Sequence, residues 1–279
     1  MKKTMILLAI AAFGFLTSAC VEKIGTEPGN DTKPVVTVYG NTPSSDYNAD
    51  ECLALRLVSN GKVSQAFYLV EKTTDKEAAI ASQGEAAYIK KVMTQGQSVS
   101  FTEGVFETTL TGLAGDYDVS VVASDGAQQT LRSISFNGIA WDESSSIAGT
   151  YTFGLLGSLH APVRTLLQRS VKDPNLMRFK DLYGDDKNLK FTVMQETGVD
   201  SDGKPCTFVR VLNQLTGFVY DGNPIYVRDV AAWQGSDSWA TNIRYACYKY
   251  DDNRFSFMLQ YRTSAGSLGY NNRDTFIPE

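Results

Sequence analysis

Period-two alternation governs what this chain can fold into. In YDVSVVAS (117–124), Tyr117, Val119, Val121 and Ala123 share one face, and Asp118, Ser120 and Ser124 share the other. A chain written this way buries one side only as a strand. CLALRLVS (52–59) places Leu53, Leu55 and Leu57 together, and VFETTL (105–110) does the same for Phe106, Thr108 and Leu110. Gly61, Gly112, Gly115 and Gly126 supply turns between these runs. One stretch interrupts the pattern: KEAAIASQGEAAYIKKVMTQG (76–96) is rich in Ala, Glu and Lys and predicts one or two short helices.

The alternation resumes in LKFTVMQ (189–195), CTFVRVL (206–212), PIYVRDV (224–230), IRYACYKY (243–250) and RFSFMLQYRTS (254–264). Asp251-Asp252-Asn253 predicts the hairpin turn joining the last two, and Gly184-Asp185-Asp186 and Asp202-Gly203 predict similar turns. Between the two series lies the polar break IAWDESSSIAG (139–149), with Trp141 expected to pack at the junction. The reading is an all-β chain of two β-sandwich-like domains in tandem, at 35–139 and 150–279, with 140–149 as linker.

LTGLAGDYDVSVVASDG (110–126) resembles the corner between two late strands of a fibronectin type III domain. Leu110, Leu113 and Tyr117 occupy the positions of that family's two leucines and its tyrosine. The resemblance runs from Lys33 to Gly138 and implies an immunoglobulin-like sandwich carrying the helical segment as an insert. It also implies a tyrosine corner, with the Tyr117 hydroxyl satisfying an upstream backbone group.

The N-terminus reads as an export signal over 1–19. Lys2 and Lys3 precede an apolar run from Met5 to Leu16, too short to span a bilayer. Leu-Thr-Ser-Ala-Cys (16–20) resembles a bacterial lipobox, with Leu16 one residue farther from Cys20 than is usual. That resemblance implies a diacylated Cys20 as the mature N-terminus. Thr17 and Ala19 also satisfy ordinary signal peptidase. VEKIGTEPGNDTKP (21–34) then serves as a flexible tether. Gly149-Thr150-Tyr151-Thr152 and the run from Ser264 to Tyr270 resemble the C-terminal β domain of Bacteroidetes surface lipoproteins. This resemblance implies an outer-membrane location with display at the cell surface, and often a role in polysaccharide capture.

Chemistry is sparse. A net charge of −5, without a basic stripe, excludes ordinary nucleic-acid binding. His160 is the sole histidine and sits in GSLHAPVR, which predicts a loop rather than a catalytic or zinc site. Asp185/Asp186, Asp200/Asp202 and Asp251/Asp252 lie among turn residues, where Asp shapes the backbone. VDSDGKP (199–205) has a calcium-loop core, but Val209 stands where an EF-hand has its closing Glu. No cofactor motif, metal set or catalytic group is expected. Cys206 and Cys247 either pair across strands or serve as small buried hydrophobes, as Cys52 does.

The positive signal is aromatic. Tyr220, Tyr226, Trp233, Trp239, Tyr245, Tyr248, Tyr250, Tyr261 and Tyr270 crowd the C-terminal region. Trp233 and Trp239 fall in the polar segment DVAAWQGSDSWATN (229–242), expected to be a loop. Flat rings with polar tips suit sugar faces and protein partners alike. The sequence therefore points to a non-enzymatic, membrane-anchored binding module for glycan. Trp233, Trp239, Tyr226 and Tyr220 are its candidate contacts; a structural or adhesive protein-binding role is the alternative, and a glycoside hydrolase with two acidic side chains facing each other across a cleft is the third reading.

Overall fold

A computed structural model describes residues 32–235, 242–270 and 272–279. The signal segment, Cys20, most of the tether and Trp239 lie outside the described residues.

The N-terminal half builds β1 (Val36–Asn41), β2 (Leu53–Ser59), β3 (Gln65–Lys72), α1 (Thr73–Gln83), α2 (Glu85–Gln95), β4 (Gln97–Ser98), β5 (Val105–Leu110), β6 (Asp116–Ser124) and β7 (Gln129–Asn137). Three strands, β1-β2-β5, face four, β4-β3-β6-β7, and all pairings are antiparallel. The faces read from the alternation meet in one core, where Leu53, Leu55 and Leu57 pack with Val119, Val121 and Ala123. The segment read as one or two helices forms both, broken at Gly84, whose φ of 81° suits glycine.

The helices lie on the outer side of the four-stranded sheet. Tyr88 and Val92 of α2 pack on Val122, with Phe67 and Leu69 beside them. The Tyr88 hydroxyl donates to the Glu71 carboxylate (2.6 Å) and accepts from the Ser120 hydroxyl (2.8 Å). The expected tyrosine corner takes another form. Tyr117 lies beneath the Lys72 ammonium (4.0 Å to the ring centre), and Lys72 itself donates to the Ala114 carbonyl (2.6 Å). A lysine thus satisfies the corner backbone expected to receive the tyrosine hydroxyl.

The C-terminal half corrects the expectation of a second sandwich. Its elements are β8 (Trp141–Thr152), a short 3-10 turn (Leu155–Ser158), β9 (Val163–Ser170), β10 (Leu176–Lys180), β11 (Leu189–Val199), β12 (Pro205–Arg210), β13 (Gln214–Tyr220), β14 (Asn223–Asp229), α3 (Val230–Gln234), β15 (Cys247–Lys249), β16 (Phe255–Phe257), β17 (Leu259–Thr263), β18 (Gly266–Gly269) and β19 (Asp274–Pro278). Eight of these strands close a barrel in the order β8-β9-β10-β11-β12-β15-β16-β19, with β19 returning to β8. Two insertions, β13-β14-α3 and β17-β18, leave the barrel and pair with each other as a four-stranded sheet, β13-β14-β17-β18.

Barrel and sheet share one core. Phe179, Phe191, Phe255, Phe257 and Phe276 fill the barrel, and Ile225, Val227, Leu259 and Tyr261 of the sheet join them. An apolar filling with Arg164, Arg169, Thr150 and Thr192 exposed outside is the reverse of a lipid-facing barrel. Closure needs Gly149, since a Cβ there would meet the Phe276 ring at 2.3 Å. Among the described residues, no helix is long and apolar enough to cross a membrane.

The expected linker at 140–149 is also corrected, because Trp141 already begins strand β8. The three serines fit a register shift between Asp142 and Ile147, where Asp142 accepts from the hydroxyls of Ser144 and Ser145 (2.6 Å each). Trp141 does sit at the junction, stacked beneath the Arg178 guanidinium (4.6 Å). Lys190 of β11 pairs with the buried Asp50 carboxylate across the same joint.

Candidate functional site

His160 and the aspartates singled out from the sequence are engaged in local structural contacts. The His160 ring stacks on Phe218 at 3.7 Å and 7°. Asp200 accepts from the backbone N–H of Asp202 and Lys204 (2.9 Å each) and from the Tyr250 hydroxyl (2.6 Å). These bonds, the tyrosine's first, hold its carboxyl below the usual range and make the D-x-D-G segment a turn. Asp252 accepts from Arg254 Nε (2.7 Å) within its own turn, and Asp181 Oδ1 accepts from the Asp186 backbone N–H (2.9 Å) in the 181–187 turn. Among the described residues, no group of three or more His, Cys, Asp or Glu is placed to hold a metal.

The three cysteines Cys52, Cys206 and Cys247 are free and buried, so the alternative of a Cys206–Cys247 disulfide does not form. Cys247 faces the barrel core, opposite Val209, whereas Cys206 lies three residues before Val209 and faces the outer cluster with Phe208, Ala246 and Tyr248. Strand alternation therefore sends the two thiols to opposite sides of the wall. Burial pushes the Cys247 thiol far up, which keeps it inert.

The most perturbed carboxyl is Asp274, fully buried in the barrel. It accepts from the hydroxyls of Tyr151 (2.9 Å) and Tyr261 and from the Gly154 N–H (2.8 Å). Burial raises it to about 6, and those three hydrogen bonds pull against the rise. The Tyr183 hydroxyl is buried in the same core, near the Tyr261 hydroxyl. A raised carboxyl often marks an active site. This one is sealed among side chains with near-zero exposure, so a substrate has no approach. It is a polar tie in the core.

The remaining constellation lies on the β13-β14-β17-β18 sheet. Ile225, Val227, Leu259 and Tyr261 face the core, so Tyr226 and Arg228 of β14 and Gln260 and Arg262 of β17 face away. Register sets Tyr226 opposite Arg262 and Arg228 opposite Gln260. Arg228 Nε donates to Gln260 Oε1 (2.8 Å), and Gln260 Nε2 donates to Ser267 Oγ (3.2 Å). Burial and the neighbouring Arg262 charge hold the Arg228 guanidinium below its usual value, with Asp229 acting oppositely. Asp229 faces the other side, where it binds Arg210 Nε (3.0 Å) and the Val211 N–H (2.6 Å) and caps α3.

Trp233 of α3 packs on Tyr270 at 5.1 Å between ring centres. Tyr270 directly follows Gly269, the partner of Tyr261, and so sits at the Gln260 end of the sheet. Trp233 thus abuts, through Tyr270, one end of the sheet that carries Tyr226. Tyr220 stands apart. It pairs with Asn223 at the hairpin tip, one register step from the Tyr226 face, and is 51% exposed. Arg228, Gln260 and Arg262 were not singled out from sequence. The signal was present, because period two places Tyr226 with Arg228 and Gln260 with Arg262.

No known protein family and no curated protein matches the chain. Among solved structures it is similar to a mutant of Kfla1895 in complex with isomaltose, at 12% identity and a TM-score of 0.25, covering 82% of this chain and 28% of that one. It is also similar to a cycloalternan-degrading enzyme from Trueperella pyogenes in complex with cycloalternan, at 12% identity and a TM-score of 0.23, covering 82% and 31%. The chain thus spans under a third of the length of either.

Proposed function

We propose that this protein is a lipid-anchored, non-catalytic glycan-binding module of the outer membrane, displayed at the cell surface. The barrel half carries the binding face, and the N-terminal half is a fibronectin type III-like spacer. The spacer reading is supported by the order of three strands against four and by Leu113 and Tyr117 at the corner between β5 and β6. The anchor reading rests on Cys20 and the segment before it.

The observation that carries the binding reading is the half-buried Trp233–Tyr270 ring pair at one end of the sheet whose outward face bears Tyr226. Aromatic faces stack on the apolar sides of sugar rings, while neighbouring polar groups fix orientation. The test is a glycan-array screen of the full-length chain beside a Trp233→Ala/Trp239→Ala double variant. Binding by the parent that disappears in the folded variant supports the reading. No binding by folded parent to a broad panel sinks it.

A second reading has its own observation. Val219 and Tyr220 expose 64% and 51% of their surface at the β13–β14 tip, an apolar pair suited to a protein contact. Loss of cell adhesion in a Val219→Ser/Tyr220→Ser variant, with glycan binding intact, favours that adhesive role.

A further inference from the structure

We infer that the outward face of β13-β14-β17-β18 recognises a carboxylate-bearing polysaccharide, a polyuronate, through Arg228 and Arg262. The inference rests on the glycan-binding reading and names its substrate class.

Arg228 and Arg262 are diagonal neighbours on adjacent strands, and such neighbours stand about 7–8 Å apart. Neither forms an ion pair with a described residue. The nearest acid in sequence, Asp229, faces the other way and is committed to Arg210, Val211 and Ala232. Close like charges on a sheet cost stability, yet the fold keeps both and fixes one of them. Gln260, 1% exposed and itself held by Ser267, accepts the Arg228 Nε–H hydrogen bond and orients the guanidinium. The terminal nitrogens of Arg228 take no protein acceptor among the described residues, nor does the Arg262 side chain.

A planar guanidinium with free terminal N–H groups matches a carboxylate in a two-point contact. The occupant follows from charge complementarity on an otherwise acidic chain of net charge −5. Two neighbouring cations suit a polymer whose carboxylates recur from sugar to sugar, and the Trp233–Tyr270 pair at the end of the sheet offers a ring platform.

The experiment titrates the full-length chain, purified in mild detergent, with sodium polygalacturonate, its methyl-esterified form and a sulfated galactan. The account expects the ester to bind at least about tenfold more weakly than the acid, since the charge-assisted contacts are lost. Affinity for the acid should fall as salt rises. An Arg228→Gln/Arg262→Gln variant, checked for folding by circular dichroism, should bind the acid no better than the parent binds the ester. Trp233→Ala should weaken both polymers. Equal binding of acid and ester by parent and arginine variant overturns this inference and leaves the glycan reading standing. Preference for the sulfated galactan over polygalacturonate overturns the carboxylate assignment. If the folded parent binds none of the three, both fall.

Discussion

Two four-stranded antiparallel sheets can be set side by side in this molecule. Each puts one face into an apolar core, and they differ on the other. The outward face of β4-β3-β6-β7 is closed by α1 and α2, and its charges are matched: Glu71 with Lys91 and Tyr88, and Asp118 with Lys76 (3.7 Å) and Ser135 (2.6 Å). The outward face of β13-β14-β17-β18 carries Tyr226, Arg228, Gln260 and Arg262, and its two cations lack carboxylate partners among the described residues. A face completed by its own chain gains stability from every polar group it satisfies. A face left with unmatched like charges gives some of that up, and a ligand of opposite charge restores it. Side chains on the first face should therefore matter for folding, and those on the second for binding.

The largest break in that comparison is expected at Tyr88. Tyr88→Ala removes a fully buried ring and its bonds to Glu71 and Ser120, at a cost of about 3–5 kcal/mol in urea unfolding. A loss below about 1 kcal/mol would mean that the helices merely lie on the sheet.

Next comes Asp274, in the core beneath the second sheet. Its folded value of about 6 lies above the ordinary 3.8, so the folded state holds the proton more tightly than the unfolded chain does. Its contribution is fully present below about pH 4 and is lost as pH rises through about 6. Relative to Asp274→Asn, the parent should lose roughly 3 kcal/mol across that window. Parallel stability–pH curves for the two proteins would contradict the assignment.

Tyr88→Phe keeps the ring and removes only the hydroxyl, and should cost about 1 kcal/mol. Smallest of all is the effect on folding of Arg228→Gln or Arg262→Gln, at most about 0.5 kcal/mol and toward greater stability.

Much of the first half was legible, because its faces follow strict alternation. Leu53, Leu55 and Leu57 meet Val119, Val121 and Ala123 as their spacing requires. The barrel was not legible, for two physical reasons. Its closure depends on β8 meeting β19, with Tyr151 opposite Phe276, and no local pattern records a pairing that distant. Its first strand also hides behind Ser144, Ser145 and Ser146, which read as a linker and form a bulge. At the site, the aromatics drew attention to Trp233 and Tyr226. Tyr220 shared their composition but not their face. Arg228 and Arg262 stand out only by the face they share with Tyr226, because surface arginine carries no signal by residue type. Asp274 could not be found at all, since only closure brings it to Tyr151 and Tyr261.

The central claim is that the second sheet keeps its outward cations for a ligand rather than for the fold. The most direct measurement takes one preparation of the Arg228→Gln/Arg262→Gln variant and determines both its urea midpoint and its affinity for polygalacturonate. The account predicts a midpoint equal to or above the parent's, with binding reduced about tenfold or more. A midpoint lowered as far as that of Tyr88→Ala, with polygalacturonate binding unchanged, would show that the arginines serve the fold and that the two faces do not differ in kind.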